Sequence, residues 1–167
     1  MTPAARTQAA IDLLDRIIVA ARDHGAAADT LIARWFAERR YAGSKDRRAI
    51  RELVYDAIRL CGGRPVSGRA AMMALVAQRP ELGETFDGSP YGPASIADGE
   101  PVATTDHAPG WLIKKLRMSD IGIEEQAALL GRAPLDIRAN RLKATAGQLV
   151  AELPGAEPLA FAPDALR

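Results

Sequence analysis

Eight cations, Arg34, Arg39, Arg40, Lys45, Arg47, Arg48, Arg51 and Arg59, fall in a stretch that holds only four acids, Glu38, Asp46, Glu52 and Asp56. Arginine suits phosphate because its planar guanidinium presents two parallel N–H donors. The chemistry this cluster offers is therefore contact with an RNA or DNA backbone. Arg48 and Glu52 stand four apart and Asp56 and Arg59 three apart, so the same pattern also fits a helix surface laced by ion pairs.

Covalent chemistry is poorly provided for. A nucleophile needs a base in reach and a means of stabilising developing charge. The single cysteine, Cys61, falls among apolar residues, where it reads as a small buried hydrophobe. His24 and His107 are far apart, and neither has a second histidine at ligand spacing. Asp98, Glu100 and Asp106 with His107 match no calcium loop and read as a solvated acidic segment rather than a metal site. No glycine-rich nucleotide motif and no Pro-Cys pair is present, so catalytic, cofactor-binding and metal-ligating residues are all expected to be absent from these residues.

The whole-chain balance, 22 basic against 21 acidic residues, names no polyanionic partner, but the charges are unevenly spread. Residues 1–80 carry 14 Lys/Arg against 8 Asp/Glu, residues 81–108 carry none against 6, and residues 109–167 carry 8 against 7. One cysteine permits no internal disulfide, the N-terminus lacks a signal-peptide pattern, and no apolar run approaches the roughly 18 residues of a membrane span. A cytoplasmic protein without membrane insertion is expected.

The elements that must carry the cations are helices, because apolar residues recur at spacings of three and four. A first helix opens at Thr2-Pro3 and runs to about Arg22, with Ala10, Leu13, Leu14, Ile17, Ile18 and Ala21 buried and Asp12 paired with Arg16. A second covers about Asp29 to Arg40, with Leu31, Ile32, Trp35 and Phe36 inward. A third, capped by Ser44, spans about Lys45 to Cys61. At 100° per residue its Ile50, Leu53, Val54, Ala57, Ile58 and Cys61 share the core face, and Arg47, Arg48, Arg51, Tyr55 and Arg59 share one flank. A fourth, capped by Ser67, runs to Arg79. Residues 1–82 thus form a helical core, and the Gly- and Pro-rich residues 83–108 an acidic connector. Residues 109–132 form a helical pair (Trp111, Leu112, Leu116; then Ile123 to Gly131). Residues 133–167 read as β-α-β, the incomplete start of a small α/β domain. The fold class is mainly α.

The stretch RYAGSKDRRAIRELVYDAIR, with PAARTQAAIDLLDRII and LIARWFAERR before it, resembles the NusB-like helical domain that opens bacterial 16S ribosomal RNA cytosine-C5 methyltransferases of the Sun/nucleolar-protein family. The downstream APGWLIKKL and APLDIRANRLKATAGQLVAEL resemble the segments that lead in that family towards the catalytic domain. The resemblance implies a NusB-like bundle followed by the start of a small α/β domain. It also implies a parent enzyme that uses S-adenosylmethionine and two cysteines, one attacking C6 of cytosine and one assisting product release. Neither the donor site nor that cysteine pair matches anything in these 167 residues, which are expected to be inactive alone. Their implied task is to hold 16S ribosomal RNA beside the catalytic domain, through Arg6, Arg47, Arg48, Arg51 and Arg59, and through Arg138, Asn140, Arg141 and Lys143. Arg39, Arg40 and Lys45 complete the set on grounds of charge. The competing expectations are a NusB-like antitermination factor, against which the P-L-D-x-R-x-N-x-L-K run stands, and a helical protein–protein interaction domain.

Overall fold

A computed structural model describes residues 1–106, 108–130 and 133–167; His107 and the expected helix end at Gly131 lie outside the described residues. The chain divides into two compact units, residues 1–130 and 131–167, and is mainly helical with one small sheet.

In the first unit the helices are α1 (Pro3–Arg22), α2 (Ala28–Glu38), α3 (Ser44–Cys61), α4 (Gly68–Gln78), a 3-10 helix (Pro80–Thr85), α5 (Gly110–Met118) and α6 (Ile123–Leu130). Thr2 caps α1 by accepting from the Ala5 N–H at 3.2 Å, with Pro3 in the first turn, where a missing N–H costs nothing. Ser67 caps α4 by accepting from Ala70 at 3.0 Å. The expected cap of α3 is displaced by one residue: Gly43 is the N-cap, and Ser44 is already helical. Asp46 in the first turn supplies the negative charge that a helix N-terminus favours.

The core joins Ala10, Leu13 and Leu14 of α1 to Ile32, Trp35 and Phe36 of α2, Ile50, Val54, Ala57 and Cys61 of α3, and Ala70 to Leu75 of α4. Trp35 and Phe36 meet edge to face with centroids 5.2 Å apart. Several expected core residues stay outside it. Ile17 and Leu53 are only partly buried against the cluster, Ile58 is 37% exposed, and Ala21 is exposed. Ile17, Ile18, Ala21 and Ile58 instead wall an open apolar groove of about 620 Å³. The apolar stripes of α1 and α3 extend further along the chain than the contact between those helices covers. Asp12 accepts from Gln8 at 2.7 Å and Arg16 reaches Glu38 at 3.9 Å, so the expected Asp12–Arg16 pair gives way to other partners.

The expected solvated connector is folded onto the helices. Phe86 and Ala103 are buried, the Ala103 N–H donates to the Ala70 carbonyl at 3.0 Å, and Thr7 and Thr85 share a hydrogen bond of 2.8 Å. Arg69 of α4 grips Glu100 with two donors, at 2.6 and 2.7 Å, and donates to the carbonyls of Ala94 and Ser95. That guanidinium, helped by the Ala97 N–H, holds the Glu100 carboxyl down at about 2. In the helical pair Ile113 is buried, but Trp111 is 65% exposed, with the Lys115 ammonium 6.0 Å from its ring centre. Among the described residues no helix is long and apolar enough to cross a membrane.

The second unit holds β1 (Ile137–Arg138), α7 (Ala146–Glu152), β2 (Pro158–Leu159) and β3 (Ala162–Leu166). A capping box between Thr145 and Gln148 starts α7. The extended stretch after α7 is a hairpin rather than a single strand, and β3 lies between β1 and β2, antiparallel to both. The strands are short, with Pro158 and Pro163 unable to donate to a ladder. Ala139 and Leu166 are buried, whereas Leu135, Leu142 and Phe161 are exposed. Pairing of Ile137 with Leu166 sets the buried register.

Ile50 is fully buried and Leu53 is not, so Ile50→Ala is expected to cost about 2–5 kcal/mol and Leu53→Ala less; urea midpoints of the two variants check this. The Glu100 carboxyl, depressed from 4.5 to about 2, stabilises the fold above pH 4.5, and that contribution is lost as pH falls towards 2. Glu100→Gln should therefore show a stability deficit at pH 6 that shrinks between pH 4.5 and 2; a deficit independent of pH would show that the ion pair is not its cause.

Candidate nucleic-acid interface

The cations singled out by charge and by resemblance separate, once folded, into those engaged in building the structure and those left on its surface. Asp46 is buried, and its carboxylate accepts from Arg6 Nε at 2.8 Å while the Met1 ammonium lies 3.2 Å away. The hydrogen bond from Arg6, aided by the ammonium, holds the Asp46 carboxyl below the usual aspartate range. Arg6 thus ties the first turn of α1 to the first turn of α3.

Arg47 lies at the edge of the core face of α3. Its Nε donates to the Ala42 carbonyl at 2.8 Å and its guanidinium sits 5.4 Å from the Phe36 ring centre. Arg39 stacks 4.2 Å above the Trp35 ring and pairs with Glu38 at 3.2 Å. Arginine prefers such faces because its weakly hydrated plane stacks on an aromatic quadrupole. Together Arg39 and Arg47 brace the turn between α2 and α3.

The outer face of α3 is different. Lys45, Arg48 and Arg51 recur every three residues along it, Arg40 precedes it in the turn, and all four are exposed. Among the described residues the side chains of Arg40, Lys45 and Arg51 have no hydrogen-bond or ion-pair partner, and the same holds for that of Arg34 on α2. Both surface pairs suggested by spacing form, Arg48–Glu52 at 3.6 Å and Arg59–Asp56 at 3.4 Å, but they are exposed contacts of long side chains, which contribute little to stability. Tyr55 lies between the arginines, 5.7 Å from the Arg59 guanidinium, and its hydroxyl donates to Asp29 of α2. The face therefore presents available guanidinium donors around one aromatic ring, which suits phosphates and stacked bases.

In the second unit Arg138, Asn140 and Arg141 line one polar cavity with Asp164, which pairs with Arg141 at 3.6 Å. Asn140 spends its side-chain oxygen on the Leu142 N–H at 3.1 Å, and its carbonyl accepts from Lys143 and Ala144, so this residue shapes the turn after β1. Lys143 is exposed and does not line the cavity.

Cys61 is buried, and burial pushes its thiol up, away from the thiolate that nucleophilic attack requires. Among the described residues no group of three or more His, Cys, Asp or Glu is placed to hold a metal ion. One cation that charge counting did not single out enters the neighbourhood. Arg79, at the end of α4, donates to Asp56 at 2.7 Å across 23 positions of sequence, a separation at which spacing along the chain carries no signal. Compared with protein-family models, curated proteins and solved structures, the chain matches none.

Because Arg6 holds Asp46 down, Arg6→Gln should raise the Asp46 carboxyl towards its ordinary value near about 4. The pH dependence of its carboxyl carbon resonance reads this directly, and an unmoved midpoint would show that the pair does not govern the group.

Proposed function

We propose that this chain is the RNA-positioning region of an S-adenosylmethionine-dependent ribosomal RNA cytosine-C5 methyltransferase, a NusB-like bundle that holds 16S ribosomal RNA in the cell interior. The observation that carries this reading is the outer face of α3, where Arg40, Lys45, Arg48 and Arg51 stand exposed while neighbouring Arg6, Arg39 and Arg47 are built into the frame. A surface with paired charges throughout would favour a solvated helix; a row of exposed cations around Tyr55, most of them without partners, favours a polyanion. The runs DRRAIRELVY and PLDIRANRLK support the family assignment within this proposal.

In this reading the α3 cations supply sequence-independent affinity by displacing counterions from phosphates. Arg138 and Arg141 in the second unit provide a separate point of contact. In this reading the methyl donor is bound outside these residues; among the described residues the strands pair antiparallel, unlike the parallel β-α-β unit that cradles a nucleoside. By the resemblance, methyl transfer would belong to a catalytic domain outside them, with binding and orientation as the part played here.

A fourfold Arg40→Gln, Lys45→Gln, Arg48→Gln, Arg51→Gln variant should bind single-stranded 16S fragments more weakly across sequences. The slope of log K against log salt should flatten by up to about three, at roughly 0.7 for each phosphate that is no longer neutralised. Titrations at several salt concentrations, with helix content checked by circular dichroism, decide the matter; an unchanged slope in a folded variant refutes the assignment.

A further inference from the structure

Asp56 of α3 receives two guanidiniums, one on each carboxylate oxygen: Arg79 Nη2 on Oδ2 at 2.7 Å and Arg59 Nη1 on Oδ1 at 3.4 Å. Each guanidinium has five N–H donors, and the carboxylate engages one from each. The trio keeps one net positive charge, and both guanidiniums converge on the one carboxylate with further N–H donors left over.

These residues line an open cavity of about 640 Å³ formed by α3, α4, residues 105 and 106, and α6. That volume lies within the roughly 300–1,000 Å³ typical of small-molecule sites. Opposite chemistry meets in it. Leu60, Leu75, Ile123 and Ala127 give it an apolar wall, while Gln78 and Thr105 add an amide and a hydroxyl. Asp106 also lines it, so its ionisable lining, Asp56, Arg59, Arg79 and Asp106, sums to no net charge. A channel for a run of phosphates would need a surplus of cations. An apolar wall beside one paired-arginine clamp, with polar groups around it, instead matches a single base with a single phosphate.

We propose that this cavity takes one unstacked nucleotide of single-stranded RNA, its phosphate on Arg59 and Arg79 and its base against Leu60 and Ile123, the apolar lining residues that keep accessible surface. Proteins that read RNA splay bases from single strands into such sites, with the backbone held by cations. The proposal rests on the RNA reading above and deepens it: Arg59 becomes the junction between the outer face of α3 and the cavity, and Asp56 a positioning residue.

The test titrates cytidine 5′-monophosphate, and separately inorganic phosphate, into the 167-residue chain while methyl resonances of Leu60, Leu75 and Ile123 are followed. The nucleotide should shift the methyls of Leu60 and Ile123, and phosphate should not. Ala127→Trp, at an exposed position on the cavity wall, should abolish those shifts by filling the space. Arg79→Gln should weaken nucleotide binding and lower the RNA salt slope by about 0.7, the equivalent of one phosphate. Equal methyl shifts with phosphate and nucleotide, or shifts that survive Ala127→Trp, would overturn the proposal. So would single-stranded RNA binding unchanged in both variants while the fourfold α3 variant loses it, an outcome that leaves the RNA reading standing. A chain that binds no RNA fails that reading instead, and the nucleotide titration still decides the cavity.

Discussion

Six consecutive residues of α4, Ala70 to Leu75, are buried, and a stretch of helix without a wet face has to be surrounded. α1 and α3 cover one part of it, the 3-10 helix and residues 86–103 another. The approach is close enough that a Cβ on Gly68 would lie 2.3 Å from the Ile11 carbonyl oxygen, and the Gly68 N–H donates to Asp15 at 2.6 Å. Only glycine fits at that crossing. The need to enclose α4 therefore draws the acidic segment inward. With its backbone bonded to α4 and Glu100 gripped by Arg69, that segment becomes cover for the core instead of tether.

The same requirement sorts the arginines. Arg6, Arg39, Arg47 and Arg69 each reach from one element to a carboxylate, a carbonyl or an aromatic ring on the frame, at Asp46, Trp35, Phe36 and Glu100. Their long apolar stems can lie along the core edge while the charged end finds a fixed partner. The cations on the outer face of α3 have no packed surface to lean on and keep their donors available. A chain whose net charge is only +1 thus carries a locally uncompensated face, because its acids are spent elsewhere: Asp46 inside, Glu100 on Arg69 of α4, Asp56 between two arginines.

Much was legible in the residues themselves. Helices α1 to α6 could be placed from apolar spacing, from Thr2-Pro3 and Ser67 at their starts, and from the glycines and prolines between them, since these signals act within a turn or two of chain. The two ion pairs on α3 were legible for the same reason, their partners being three or four residues apart. Burial was less so. Periodicity finds the apolar face of α1 and α3 but not how far along it a neighbouring helix reaches, so Ile17, Ala21 and Ile58 were expected inside and are found on a groove wall.

What the sequence by itself determined, then, is which stretches are helical, which faces are apolar and where cations concentrate, all properties of neighbours along the chain. The folding of the acidic segment onto α4, the antiparallel hairpin after α7 and the division of the arginines between frame and surface were decided only in three dimensions. Their partners are 31 positions apart for Arg69 and Glu100, 40 for Arg6 and Asp46, and 23 for Arg79 and Asp56. No local period links such residues. They meet because burying one helix fixes the path of everything around it.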